Sequence, residues 1–187
     1  MANVDAAYGL RAVRHQTGGN IQTNSYKIAS GYATAIYKGD PVVVVTGGTI
    51  ERAAAGSTRP QGVFDGVNYT DSQGKRVFSK YWPASTVATD IECFVYDDPM
   101  IIFAIQSDAT GVALTELGAC ADWEIVAGSA ATGISKTNLD ASAAIGSTTA
   151  GLRVMRLVPA DDNAFGAYAD VEVMFAEHAL ITTGAAI

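Results

Sequence analysis

Apolar residues in this chain arrive in short bursts, each closed by Gly, Pro, Asn or Asp. The stretch "YATAIYKGDPVVVVTGGTIERAAAG" shows the grammar. It predicts a turn at "KGDP", a valine-rich strand from Pro41 to Thr46, a turn at "GG", and a second strand through Thr49, Ile50 and Glu51. "QGVFDGVNY", the turn formers of "TDSQGK" and "RVFSKYW" read as a hairpin. In "TDIECFVYD" Ile91, Cys93 and Val95 alternate with Glu92, Phe94 and Tyr96, the period of two of a half-buried strand. "MIIFAIQ", "WEIVAG", "LRVMRLV" and "VEVMFAEH" continue the series. Helical signal is thin: "GVALTELGACADW" allows one short helix, with Leu114 and Leu117 three apart and Gly118 to end it.

These runs predict a mainly β protein, an antiparallel β-barrel or sandwich with at most one or two short helices. The first 25 residues lack a sustained period and are polar through "QTGGNIQTNS", so they read as an extended N-terminal arm. Residues 26–187 then form a single β domain. The small-residue text from Gly128 to Gly151 reads as long surface loops around one strand, because the β pattern resumes beyond it.

Composition narrows the class. The 187 residues are 49% hydrophobic and 17% charged, a globular profile and neither a disordered nor a membrane-spanning one. The longest apolar runs fall far short of the ~20 residues of a transmembrane helix. The N-terminus has no basic head before an apolar core, so no secretory signal is expected. Without one, Cys93 and Cys120 are expected as reduced thiols packed like small apolar groups.

Net charge is −7 and uneven. Residues 1–80 hold nine of the twelve Lys and Arg against five acids, and residues 81–187 hold three against fourteen. Either the fold intermingles the halves, or the surface carries a basic and an acidic patch that orient the molecule on a partner. So acidic a chain argues against nucleic acid, whose phosphates call for a concentrated basic footprint.

Chemistry-bearing motifs are scarce. The two histidines, His15 and His178, belong to no Gly-x-Ser-x-Gly elbow, His-Glu-x-x-His pair or phosphate-cradling loop. His178 follows Glu177 on a strand end, where the two would diverge, so it is expected as a strand-end polar residue. "YDDP" and "PADDN" offer paired carboxylates, yet lack the further oxygen ligands of a Ca²⁺ cage and read as turns. A hydrolase would need Asp97 and Asp162 brought together in a cleft. No catalytic residue, cofactor or metal is expected.

Two local features remain. Arg11, Arg14 and His15 form a small basic cluster, either a solvated turn or part of a tail that docks on a neighbour. Residues 62–84 crowd Phe64, Tyr69, Phe78, Tyr81 and Trp82 with Lys75, Arg76 and Lys80. Phe78 could face inward, while the adjacent Tyr81 and Trp82 point to opposite faces. Both cannot be core to one sheet unless a second layer covers the other side. Tyr, Trp and Arg dominate anchor points between proteins, so Tyr69, Lys75, Arg76, Tyr81 and Trp82 are expected to form a subunit contact.

"YGLRAVRH", "IASGYATAIYKGDPV", "QGVFDGVNYTDSQGKRVFSKYWPA", "VYDDPMIIFAIQSD" and "ADVEVMFAEH" together resemble the head decoration, or cement, proteins of tailed bacteriophages. "YKGDPVVVV" through "GTIERAAAG" to "QGVFDGV" also looks like the small β-barrel units common among them. The resemblance implies a mostly β homotrimer on the outer face of an icosahedral shell, made in the host cytoplasm. It would bridge major capsid proteins and catalyse nothing. On this reading Arg11, Arg14 and His15 face the capsid, and Tyr69 to Trp82 form the trimer seam. The rival class is a β-sandwich carbohydrate-binding or adhesion module, in which exposed Trp and Tyr stack on sugar.

Overall fold

The computed structural model describes residues 3–56, 59–142 and 150–181. Fourteen strands account for nearly all its regular structure, in the order β1 (Arg11–His15), β2 (Asn24–Tyr26), β3 (Ile36–Tyr37), β4 (Pro41–Val44), β5 (Ile50–Arg52), β6 (Gly62–Thr70), β7 (Arg76–Ser79), β8 (Tyr81–Trp82), β9 (Thr89–Tyr96), β10 (Ile101–Gln106), β11 (Cys120–Glu124), β12 (Asn138–Asp140), β13 (Leu152–Leu157) and β14 (Asp170–Phe175). The expected helix shrinks to one 3₁₀ turn at Leu114–Glu116, where Leu114 and Leu117 are exposed and no apolar stripe is buried.

Every strand pairing is antiparallel. One six-stranded sheet runs β1-β10-β14-β13-β11-β12; the second runs β2-β9-β6-β4-β5 with β7 added to β6; β3 and β8 form a separate ribbon. The mainly β expectation therefore holds as a sandwich-like pair of sheets, and no closed barrel forms.

The turns follow the sequence closely. Asp71 accepts the backbone N–H groups of Gln73 and Lys75 on Oδ1, both at 2.9 Å, and Gly74 supplies the positive φ that tightens the β6–β7 turn. Gly62 opens β6 at φ +155°, where a β-carbon would overlap the carbonyl oxygen of Tyr96 on β9. Strand β9 alternates as expected, with Cys93 and Val95 fully buried. Both thiols are free and buried, and burial pushes that of Cys93 up to about 12.

Two apolar cores result. The larger gathers Ile101, Phe103 and Ile105 of β10, Trp123, Leu152, Val154, and Val171, Val173 and Phe175 of β14. Val63 and Ala53 of the second sheet join it and hold the sheets together. The smaller core lies on the other side of the second sheet, where Phe64, Val67, Tyr69, Cys93 and Val95 meet Ile36 and Trp82 of the β3–β8 ribbon. Strand β10 is buried on both faces, which accounts for its unbroken apolar run.

Two expectations about organisation are corrected. Arg11–His15 is an edge strand paired with β10, and Asn24–Tyr26 pairs with β9, so the first 25 residues are woven into both sheets and are no detached arm. Gln106 fastens the stretch before β1, accepting from Ala6 N–H at 2.7 Å and donating to Val4 O at 3.0 Å. Among the described residues the text from Gly128 to Gly151 holds one strand, β12, as expected, but it is not all at the surface. Ser135, Thr137 and Leu139 are wholly buried, although residues 143–149 of that text lie outside the described residues. Ser135 and Thr137 donate their hydroxyls to Oδ1 of the buried Asp40, whose Oδ2 accepts Tyr37 N–H at 2.8 Å. A carboxylate thus satisfies small polar side chains that sequence alone places in water. Asp40→Ala is expected to strand both hydroxyls and the Tyr37 N–H and to lower stability by about 2–3 kcal/mol in urea unfolding.

Candidate interaction surface

The two feature groups of the sequence behave differently. In the basic group, each member is engaged within the chain. A bulge between Ala12 and Arg14 turns Arg14 onto the outer face of its sheet. There Nη2 donates to Oε2 of Glu172 at 2.8 Å. From the other flank Arg156 donates to both carboxylate oxygens, again at 2.8 Å. Glu172 has a side chain only 2% exposed. Burial works to raise its pKa, but the hydrogen bonds and charges of Arg156 and Arg14 outweigh burial and hold it below the usual carboxylate range.

His15 Nε2 lies 3.0 Å from Asp98 Oδ2. Arg11 lies over the ring of Tyr8, 4.9 Å from its centroid. It sits on the rim of a cleft of about 370 Å³ between the sheets, lined also by Tyr8, Lys38, Asp65, Tyr96 and Ile134. Lys38 and Asp65 form an ion pair there. Burial, with Asp65 alongside, pushes Tyr96 up to about 12. Arg11 is thus the cation of this group most open to a partner.

The aromatic group divides by strand. Trp82 is fully buried and meets Tyr69 edge-on at 5.3 Å between ring centroids; burial raises the phenol pKa of Tyr69. The register Ile36↔Trp82 and Tyr37↔Tyr81 explains the split. One side of the β3–β8 ribbon turns Ile36 and Trp82 into the small core. The other stacks Tyr37 on Tyr81, 5.4 Å apart and 11° from parallel. The second layer needed to bury Trp82 exists and is this ribbon, so Tyr69 and Trp82 are core residues and not a seam.

Phe78 takes the opposite part from the one expected. It is 76% exposed, while Val77 packs against the small core. Among the described residues strand β7 pairs only with β6, which leaves its outer edge open. Lys75, Arg76 and Lys80 are exposed around Phe78. Arg76 is steadied by Thr70 Oγ1 at 3.4 Å and Asp90 O at 3.2 Å. The result is an apolar ring ringed by cations on an unpaired strand edge. The signal sequence reasoning missed was hairpin register: Val77 stands opposite the buried Tyr69, so its neighbour Phe78 turns to the other face.

The remaining candidates do not converge. Asp97 is buried and accepts from Asn24 Nδ2 at 2.8 Å and from Tyr26 OH at 2.7 Å. Asp162 lines a separate pocket with Asn163, Tyr168 and Asp170, and none of the partners of Asp97 is among its lining residues. The structure gives the pair no common cleft. His178 is fully buried, against the expectation of a polar strand end. Burial lowers its pKa despite the raising effect of Asp97 and Asp98. Among the described residues no three His, Cys, Asp or Glu side chains are grouped to hold a metal, and no helix is long and apolar enough to cross a membrane.

The uneven charge maps onto the architecture. Residues 24–96, which build the second sheet, hold seven Lys and Arg against six acids. Residues 97–187, which supply the other sheet apart from β1, hold three against twelve. The two parts build largely separate sheets, joined by contacts such as those of Asp40 with Ser135 and Thr137. Comparison with family models, with curated proteins and with solved structures finds no match to this chain.

Proposed function

We propose that this chain is a structural virion subunit that binds the outer surface of an icosahedral phage capsid as a homotrimer and stabilises the shell by bridging major capsid proteins. The observation that carries the reading is Phe78, a large aromatic side chain 76% in solvent on an open, basic strand edge. Seating such a ring in a partner would remove its apolar surface from water. Aromatic side chains seated in a partner are the anchors of protein interfaces. The resemblance of the sequence to decoration proteins supplies the kind of assembly.

The charge layout supports a head-to-tail trimer. The cationic β7 hairpin of one copy faces the acid-rich sheet of the next, and a heterologous contact of this kind closes into a ring when its rotation is one third of a turn. Binding to an assembled lattice and not to its separated parts stabilises the lattice by mass action. Three linked sites per trimer raise the avidity of individually modest contacts. Arg11, on the rim of the intersheet cleft, is the capsid-facing residue; Arg14 and His15 support it by holding β1 to the sheet.

A carbohydrate-binding module would stack sugars on exposed indole rings. Trp82 and Trp123 are both fully buried, which leaves that reading the part-exposed tyrosines, such as the stacked Tyr37 and Tyr81.

Sedimentation velocity tests the seam. The parent chain is expected to sediment as a trimer, and Phe78→Ser to weaken the trimer by roughly 30-fold with a melting transition unmoved beyond about 0.5 kcal/mol. A parent that stays monomeric at high concentration would reject the proposal. Substitution is the right tool at the capsid face too, because deleting residues 1–20 would remove β1 itself.

A further inference from the structure

The chain's two histidines lie at one corner of the molecule and are used in the same way. His15 ends β1, and its Nδ1 accepts the backbone N–H groups of Thr17 and Gly19, each at 3.2 Å. His178 follows β14, and its Nδ1 accepts the N–H of Leu180, also at 3.2 Å. In both, a ring nitrogen takes the N–H two residues on and fixes a turn. Between them stands the β9–β10 turn with Asp97 and Asp98. Asp98 lies against Nε2 of His15, and both carboxylates act electrostatically on His178. Tyr26 of β2 faces the corner through its hydrogen bond to Asp97.

A backbone N–H can only donate, so each Nδ1 must present a lone pair. That requires the neutral ring with its proton on Nε2. A second proton has to enter at Nδ1, where it would abolish the hydrogen bond that shapes the turn. At His178 the added charge would also arise in a fully buried ring packed edge-on against Phe175 at 5.6 Å. The turn is fastened further by Ala176 N–H to Gly151 O at 2.9 Å, Ala179 N–H to Pro60 O at 3.0 Å and Ile181 N–H to His178 O at 3.1 Å, and the ring of His178 also meets the backbone of Gln61. Leu180 and Ile181 are more than half exposed.

We infer that His178 is an acid-released latch: protonation at Nδ1 frees the 176–181 turn from the corner where the two sheets meet, beside the matching turn of His15. The carboxylates of Asp97 and Asp98 oppose release, since they favour a cationic ring, while burial favours it. At His178 burial prevails and the folded-state pKa lies below that of an exposed ring. Its stabilising effect is therefore complete above the unfolded value of about 6.5 and is lost as the pH falls from there towards the folded value. The latch is independent of what the β7 edge binds.

Nitrogen-detected ring spectra and amide hydrogen exchange on the full chain test this. At about pH 7.5 the His178 ring should show the Nε2–H tautomer. Protection of the Leu180 amide should fall by roughly tenfold per pH unit below about 6.5. In His178→Asn an amide oxygen replaces Nδ1 as acceptor without titrating, so protection should persist to about pH 5. An Nδ1–H tautomer of His178 in the parent would overturn the latch, as would parent protection that holds to about pH 5. So would a variant that opens in step with the parent. Should the variant fail to fold, the tautomer and exchange of the parent still decide.

Discussion

Replacing Trp82 with alanine is expected to lower the unfolding free energy by about 3–5 kcal/mol, the range for a buried aromatic ring deleted from a packed core. The side chain is wholly inaccessible. It closes the small core between the second sheet and the β3–β8 ribbon, with Tyr69 edge-on against it. No rearrangement of a two-residue strand fills that volume, so the cavity persists and the ribbon loses its main attachment. With a whole-domain stability of about 5–15 kcal/mol, such a loss is a large share of the total, and a fall of roughly 10 °C in the melting temperature should accompany it. Calorimetry on Trp82→Ala and Tyr81→Ala separates core from surface. If Trp82 were a subunit anchor, its loss would dissociate the oligomer and leave the monomer's transition unchanged. Tyr81→Ala should cost much less, since it removes one member of a half-exposed stacked pair.

The second large effect is expected at Glu172. Its carboxylate, 2% exposed, answers Arg156 from the neighbouring β13 and Arg14 from β1 across the intervening β10. Glu172→Ala leaves both guanidinium groups clustered without a counter-charge and should cost about 3 kcal/mol. The low end applies because the arginine heads reach solvent. Glu172→Gln keeps the volume and isolates the charge. The folded-state pKa of Glu172 is depressed, so its contribution is present above the unfolded value of about 4.3 and disappears as the pH falls through the folded value. The stability gap between the parent and Glu172→Gln should therefore be full at neutral pH and close in strong acid. A gap independent of pH would show that shape, and not charge, is what the site requires.

What could be read from the chain and what could not follows from the reach of each interaction. The β6–β7 hairpin was legible because Asp71 and Gly74 make their turn within four residues. Strand β9 was legible because alternation is intrinsic to a strand with one wet face. The inward Trp82 was not, since its burial depends on a ribbon whose other strand lies some 45 positions back at Ile36 and Tyr37; the outward Phe78 follows from the register of β7 on β6, which sets Val77 opposite Tyr69. Arg14 looked like a free cation because its partner is 158 positions away. Ser135 and Thr137 looked like loop because the acceptor that allows their burial is Asp40. Local geometry fixed the strands and turns, whereas burial of polar groups was decided by partners no local pattern announces. The basic and aromatic clusters were visible as compositions; which member stays free, Arg11 or Arg14, Phe78 or Trp82, was set by the fold.

The most direct measurement is co-sedimentation of the purified chain with tailed-phage heads stripped of decoration protein, set beside the same capsid protein dissociated into subunits. Saturable pelleting with the assembled heads alone, with raised thermal resistance of the heads and weaker retention of Arg11→Ala and Phe78→Ser, is the predicted result. A chain left in the supernatant by intact heads, or held equally by free capsid subunits, would contradict it.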